Sequence, residues 1–318
     1  MIRILSLLLG LTLTASTLAQ PFPSRPIKVI VPFPPGGGAD VVIRVLAPAV
    51  GEALGQPLVI DNRAGAGGNI GTDVAAHALP DGYTLLVATA AQAVNNTLSK
   101  DVTWNLTRDF APISLIVQNQ IVLAANPKVP VKTVQDLVEL ARAKPGRVSY
   151  ASYGTGSTAH MSAELFKMMA GVDLLHVPYR GAGPAINDLV AGQVDVIFAD
   201  MAAILPFIRA GQARAIAFGS SHRFAGLPDV PTIAESGVPG YETGGFLALV
   251  APAGTPRPAI EALNAAMDKA LAAPGMRERL EALGGIPSPT SPEDLARFLR
   301  TDIDKWARVI KTANIHTD

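Results

Sequence analysis

The chain has 318 residues, 26 basic against 26 acidic side chains, no cysteine and 49% hydrophobic content. Zero formal charge removes the electrostatic footprint of a nucleic-acid binder. The missing cysteines exclude a disulfide scaffold, a thiol catalyst, a zinc–cysteine site and an iron–sulfur protein. With only 16% charged residues the chain is not disordered, which leaves a globular protein long enough for about two domains.

The only long apolar run stands at the start. Arg3 is followed by Ile4 to Leu13 and then by the small residues Thr14 to Ala19, with Thr17 and Ala19 at the −3 and −1 positions. This is a secretory leader, and cleavage is expected after Ala19. A membrane anchor would need about 20 apolar residues, and Gln20-Pro21-Phe22-Pro23 ends the run too early. No cysteine follows for lipid attachment, so the mature protein is expected to be exported and soluble.

The mature region alternates β-branched runs with amphipathic segments. Strands are predicted at 27–31, 58–60 and 84–88, with helices at 40–54 and 71–78 between them. This βαβαβ order implies a parallel, doubly wound α/β sheet. A mostly apolar stretch over 113–124 is interrupted by Gln118-Asn119-Gln120. A second βα series follows, with helices at 133–143, 157–169, 183–191 and 202–210. Its strands are predicted at 148–150, 174–177, 194–198 and 213–218. One more strand is read at 244–251, then helices at 258–271 and 277–283, the latter ended by a Gly284-Gly285 cap signal. Ser291-Pro292-Glu293-Asp294 opens the last helix with a capping serine, Pro in the first turn and two acids. The connections near 113–122 and 240–250 read as two crossings between lobes.

Chemistry is concentrated in glycine-rich turns. Phe33-Pro34-Pro35-Gly36-Gly37-Gly38-Ala39-Asp40 stands between a strand and a helix. Consecutive glycines let backbone N–H groups approach a ligand closely, and the helix start behind them favours negative charge. Asp40 fits either a helix cap or a ligand contact. Ser152-Tyr153-Gly154-Thr155-Gly156-Ser157-Thr158-Ala159-His160 repeats the arrangement, with Ser157 or Thr158 as cap. Two such turns in corresponding places of two lobes suggest a clamp for a carboxylate or another small oxyanion. Arg180 is a loop cation able to meet a carboxylate, and Asp200 ends a strand where open α/β sheets place binding groups.

Other readings are weak. Gly65 to Gly71 does not satisfy G-x-G-x-x-G, because Ile70 occupies the sixth position, so no dinucleotide or other cofactor is expected. There is no nucleophile elbow, no H-E-x-x-H and no metal-ligand spacing among the five histidines. An exported hydrolase using Ser157 and His160 is the remaining enzymatic alternative, and no catalytic or metal-binding residue is assigned.

Taken together, these segments resemble the tripartite tricarboxylate transporter receptors, the Bug-type periplasmic solute-binding proteins. The resemblance runs through Val31 to Gly37 with Asp40, Asn62-Arg63 with Gly65 to Gly71, and Pro80 to Leu85. It continues through Gly154 to Ser157 with His160, Val177 to Gly181, Gly192 to Asp195, Leu227 to Thr232 and Ala251 to Pro256. It implies a class II periplasmic binding protein, with two doubly wound α/β lobes on a two-strand hinge that close like a flytrap. It also implies a small organic carboxylate as ligand and membrane permease subunits as partners, with a sensing partner as the alternative; a monomer is expected. The lobes are expected at 20–119 plus 245–318 and at 120–244. The expected ligand-binding residues of the first lobe are Phe33, Pro35, Gly36, Gly37, Asp40 and Thr89. Those of the second are Ser152, Gly154, Thr155, Gly156, Ser157, His160, Tyr179, Arg180 and Asp200. Where many relatives carry a Ser/Thr-rich loop, this chain has Thr89-Ala90-Ala91-Gln92-Ala93-Val94-Asn95. Read as a loop, it forms a less polar wall suited to an apolar ligand and disfavouring citrate.

Overall fold

The computed structural model describes residues 22–99 and 101–316. The expected leader and its cleavage site lie outside these residues. The described chain forms two sheets. The first has the order β11 (285–287), β4 (110–119), β10 (245–252), β3 (84–89), β1 (27–31), β2 (58–62), and the second β7 (175–178), β6 (149–152), β8 (196–200), β5 (121–125), β9 (214–218).

In the first sheet, β1 (Ile27–Val31), β2 (Leu58–Asn62) and β3 (Thr84–Thr89) run parallel. They alternate with α1 (Gly38–Leu54) and α2 (Asn69–Ala76), as the βαβαβ reading expects. α1 ends at Gly55, whose φ of 69° is a left-handed cap that costs glycine little. β10 (Gly245–Pro252) returns antiparallel between β3 and β4 (Phe110–Asn119), so the sheet is mixed rather than wholly parallel.

Two elements correct the sequence reading. Residues 89–95 are not a loop: Thr89 caps α3 (Ala90–Leu98) in a capping box with Gln92. Gly284-Gly285 does more than end α9 (Met276–Ala282), because Gly285 begins a short edge strand, β11 (Gly285–Pro287), antiparallel to β4. The apolar run near 113–124 resolves into β4 and β5 (Ile121–Ala125), and Gln120 alone crosses between the sheets.

The second sheet pairs β6 (Ser149–Ser152) in parallel with β7 (Leu175–Pro178) and with β8 (Val196–Asp200). β5 lies antiparallel to β8 and to β9 (Arg214–Phe218). Its helices are α4 (Val134–Ala143), α5 (Thr158–Ala170), α6 (Ala182–Ala191) and α7 (Met201–Arg209). After β10 come α8 (Arg257–Leu271), α9 and α10 (Pro292–Thr312), the last capped by Ser291 with Pro292 in its first turn.

One face of the first sheet buries Val29, Leu85 and Leu249 against α1 and α8. The opposite face packs on α3 and α10, and its core continues without a break into the second lobe. Val94, Leu98 and Trp306 belong to the same cluster as Tyr150, Met161 and Phe166. Burial of this kind stabilises by about 25 cal/mol per Å² of apolar surface, so the shared core ties the lobes together beside the crossings. Among the described residues, no helix is long and apolar enough to cross a membrane.

Candidate ligand-binding site

Strand direction places both glycine turns between the lobes. β1, β3 and β4 all point toward the end of the first sheet from which the chain leaves at Asn119. In the second sheet the chain arrives at Ile121, which pairs with Asp200 at the end of β8, and β6 runs parallel to β8. The turn after β1 and the turn after β6 therefore open toward the same inter-lobe space.

In the first turn the helix cap is Gly37, not Asp40. Gly37 has extended backbone and offers no side chain, so the N–H groups of Gly38, Ala39 and Asp40 have no acceptor within α1. Asp40 is instead the third helical residue, and its carboxylate braces the turn from behind. Oδ2 accepts from the N–H of Gly36 at 2.8 Å, while Oδ1 accepts from Arg44 Nε and Asn62 Nδ2, each at 2.9 Å. Asn62 Nδ2 also donates to the Phe33 carbonyl at 3.1 Å. Burial pushes the Asp40 carboxyl up, but the bonds from Arg44, Gly36 and Asn62 outweigh it and hold it below the usual carboxylate range. Asp40 is 2% exposed and its oxygens are engaged, so it shapes the site rather than facing it. Pro35 and Gly36 are exposed and Phe33 and Gly37 half-buried.

In the second turn Ser157 is the cap, and its Oγ accepts from the His160 N–H at 3.3 Å. The N–H groups of Thr158 and Ala159 are left without a helical acceptor. His160 Nδ1 accepts from the Gly156 N–H at 3.1 Å, so the proton of the neutral ring sits on Nε2. Its ring stacks on His176 with centroids 4.2 Å apart, and His176 stacks on Tyr150 at 4.9 Å. Burial, and then the neighbouring His176, lower His160 to about 4; burial also lowers His176. Ser152 Oγ lies 2.6 Å from His176 Nε2 and accepts from the Gly154 N–H at 3.2 Å. Ser152 is fully buried and therefore supports the turn from beneath, whereas Thr155 is exposed on it. The hydrolase alternative fails on this geometry. Ser157 Oγ meets the backbone of His160, and the imidazole nitrogen nearest the turn is already an acceptor.

α3 touches the second turn and, at its other end, the glycine run beside the first. At its start, Gln92 Nε2 would lie 2.5 Å from a Cβ on Gly68, beside Phe33. Near its end, Leu98 Cδ2 would lie 2.7 Å from a Cβ on Gly156. Only glycine at these positive-φ sites (97° and 77°) allows such approach. Six residues of helix separate Gln92 from Leu98, about 9 Å at 1.5 Å per residue. The Thr89 hydroxyl donates to Gln92 Oε1 at 2.7 Å and accepts from the Ala91 N–H at 3.1 Å, so it builds the cap. Ala90, Ala93 and Val94 pack into the core rather than lining the cleft, which corrects the expectation of an apolar wall there.

The remaining candidates surround the second turn. The Tyr179 hydroxyl donates to Asp188 at 2.7 Å, and burial with that bond pushes it up to about 12. Arg180 is exposed, immediately before Gly181, whose φ of 113° opens α6 without a side-chain cap. Asp200 is half-buried at the end of β8. Asn62 and His176 act in the site although sequence reasoning did not select them. Their roles depend on strand register, Val31 opposite Asn62 and Tyr150 opposite His176. Among the described residues no group of acidic or histidine side chains could hold a metal ion.

Two α/β lobes on two crossings, with helix N-termini turned toward the space between them, define a two-lobed periplasmic binding protein. The profile of the family described as "Tripartite tricarboxylate transporter family receptor" matches residues 42–315. The chain belongs to that family, one of binding proteins rather than enzymes. It is 39% identical to Protein BugT of Bordetella pertussis over 301 residues, covering 94% of this chain and 92% of that one. Among solved structures it is similar to R. palustris Rpa4515 with adipate, at 36% identity and TM-score 0.78, covering 93% of this chain and 99% of that one. It is also similar to MatC from Rhodopseudomonas palustris with bound malate, at 34% identity and TM-score 0.75, covering 91% and 100%.

Proposed function

We propose that this protein captures a small organic carboxylate between its lobes in the periplasm and delivers it to the permease subunits of a tripartite transporter. One observation carries the reading: α1 and α5 both begin at the inter-lobe space with N–H groups that no protein group accepts from. Such helix ends are ready-made sites for anionic oxygen. The relatives that hold adipate and malate support a carboxylate as the ligand. The lobes in this proposal are residues 20–119 with 245–318, and 120–244, hinged at Gln120 and near Gly244. Phe33 to Gly38 and Gly154 to Thr158 supply the contacts, and Arg180 adds a cation at the rim. Closure follows if the ligand binds the closed arrangement more tightly than the open one. The leader, outside the described residues, would direct export, and the sequence offers no cysteine for lipid attachment.

Thermal-shift measurements with malate, adipate and citrate test the proposal. A ligand at 100 times its dissociation constant stabilises by about 2.7 kcal/mol, a visible rise in melting temperature. Unchanged melting with di-, tri- and aromatic carboxylates alike would overturn it.

A further inference from the structure

Asp200 carries a carboxyl group that the fold does not use. It occupies the N-cap position of α7 yet makes no capping bond. No basic side chain among the described residues offsets it, and burial pushes it up to about 6, with only its own backbone N–H acting the other way. Other carboxylates near the turns are engaged: Asp40 braces the first turn and Asp188 accepts from Tyr179.

Its place in the fold is specific. The Asp200 N–H donates to the Tyr153 hydroxyl of the second turn at 3.2 Å. The next residue, Met201, donates to the carbonyl of the crossing residue Gln120 at 2.8 Å. One residue further, the Ala202 Cβ stands where it would clash with any Cβ on Gly284 of the other lobe. Asp200 is thus bracketed by the ligand-gripping turn, the hinge and the opposite lobe, and it remains half-buried. A half-buried carboxylate with no donor from another residue is unfavourable. In a cleft that already holds one anionic group, it also repels a second.

Resting on the carboxylate reading above, we propose that Asp200 determines specificity: the ligand is a carboxylate that also carries a hydrogen-bond donor, a hydroxyl or an ammonium, which Asp200 accepts. The helix ends hold the carboxylate, and Asp200 reads the neighbouring substituent. A ligand without that donor leaves Asp200 desolvated and unpaired when the lobes meet. The discrimination therefore belongs to the missing hydrogen bond rather than to ligand size, and a site built to hydrogen-bond a hydroxyl rejects the analogue that lacks it.

Calorimetric titration of the mature chain with acid pairs that differ by one hydroxyl tests this. Suitable pairs are malate and succinate, 2-hydroxyglutarate and glutarate, and lactate and propionate. In the best-bound pair, the hydroxy acid is expected to bind at least tenfold more tightly. In Asp200→Ala, which removes the acceptor, the preference is expected to shrink to threefold or less. Asp200→Leu replaces it should the Ala variant not melt cooperatively, and the wild-type ratio stands independently of both. Equal affinities within each wild-type pair would overturn the inference while leaving carboxylate binding intact, as would a preference undiminished in the variant. Failure of the wild-type protein to bind any acid would instead overturn the carboxylate reading itself.

Discussion

In both lobes a glycine with positive φ, Gly36 at 81° and Gly156 at 77°, precedes the helix cap. Its N–H is taken by the side chain of the third helical residue, Asp40 in one lobe and His160 in the other. The acceptors differ in kind. Asp40 is a carboxylate balanced by Arg44 and steadied by Asn62, so it holds its glycine down to acidic pH. His160 is a neutral imidazole that accepts only while Nδ1 is unprotonated. The caps differ too: Gly37 leaves the third helical N–H open, whereas Ser157 takes it. The first turn thus offers three uncommitted amides in a row and the second two. The same backbone geometry gives a charge-braced anchor in one lobe and a pH-sensitive one in the other.

Breaking the first brace has the largest expected effect. Asp40→Ala removes the acceptor for Gly36, Arg44 and Asn62 at a buried position and should cost about 2–3 kcal/mol. Urea denaturation at neutral pH reads that loss directly, and a change within 0.5 kcal/mol would show that the turn stands without its brace.

The clearance around the two glycines gives the next contrast. Gly36→Ala meets only the left-handed backbone penalty, about 1–2 kcal/mol, because nothing lies within 4 Å of its Cβ position. Gly156→Ala adds a clash with Leu98 and should cost more. Combining Gly156→Ala with Leu98→Ala should give a total below the sum of the single costs. Strict additivity in that double-mutant cycle would mean that α3 does not press on the second turn.

The smallest effect appears near neutrality and grows on acidification. His160 is lowered from 6.5 to about 4 by burial and by His176. Above pH 6.5 the folded and unfolded rings are both neutral, and no penalty exists. Between about 6.5 and about 4 the unfolded chain binds a proton that the folded chain does not, so stability falls with pH. Asp200, raised to about 6, acts with the opposite sign below that pH, because the folded chain holds its proton more tightly. The comparison is therefore between parent and His160→Asn, whose amide oxygen can still accept from Gly156. The variant's denaturation midpoint should decline less steeply across that window; parallel declines would remove His160 from the account.

The turns were legible because closely spaced glycines between a strand-like run and an amphipathic run have few other uses. Their internal wiring was less so. Asp40 looked like a cap because it is the first capping residue type after the glycines, yet Gly37 caps the helix. α3 had its signal in Thr89-x-x-Gln92, a capping box before an alanine-rich run. A short helix with alanines at the expected strand end reads as loop until packing is known. Asn62 stood out only as part of the family pattern and His176 not at all, since both act across the sheet through strand register.

The central claim is that helix ends from both lobes grip a carboxylate. Titration calorimetry with whichever free acid raises the melting temperature most, alongside its methyl ester, tests it most directly. The account predicts one site per chain for the acid, and at least a hundredfold loss for the ester, which keeps the shape but removes the charge. Equal binding of acid and ester would contradict it.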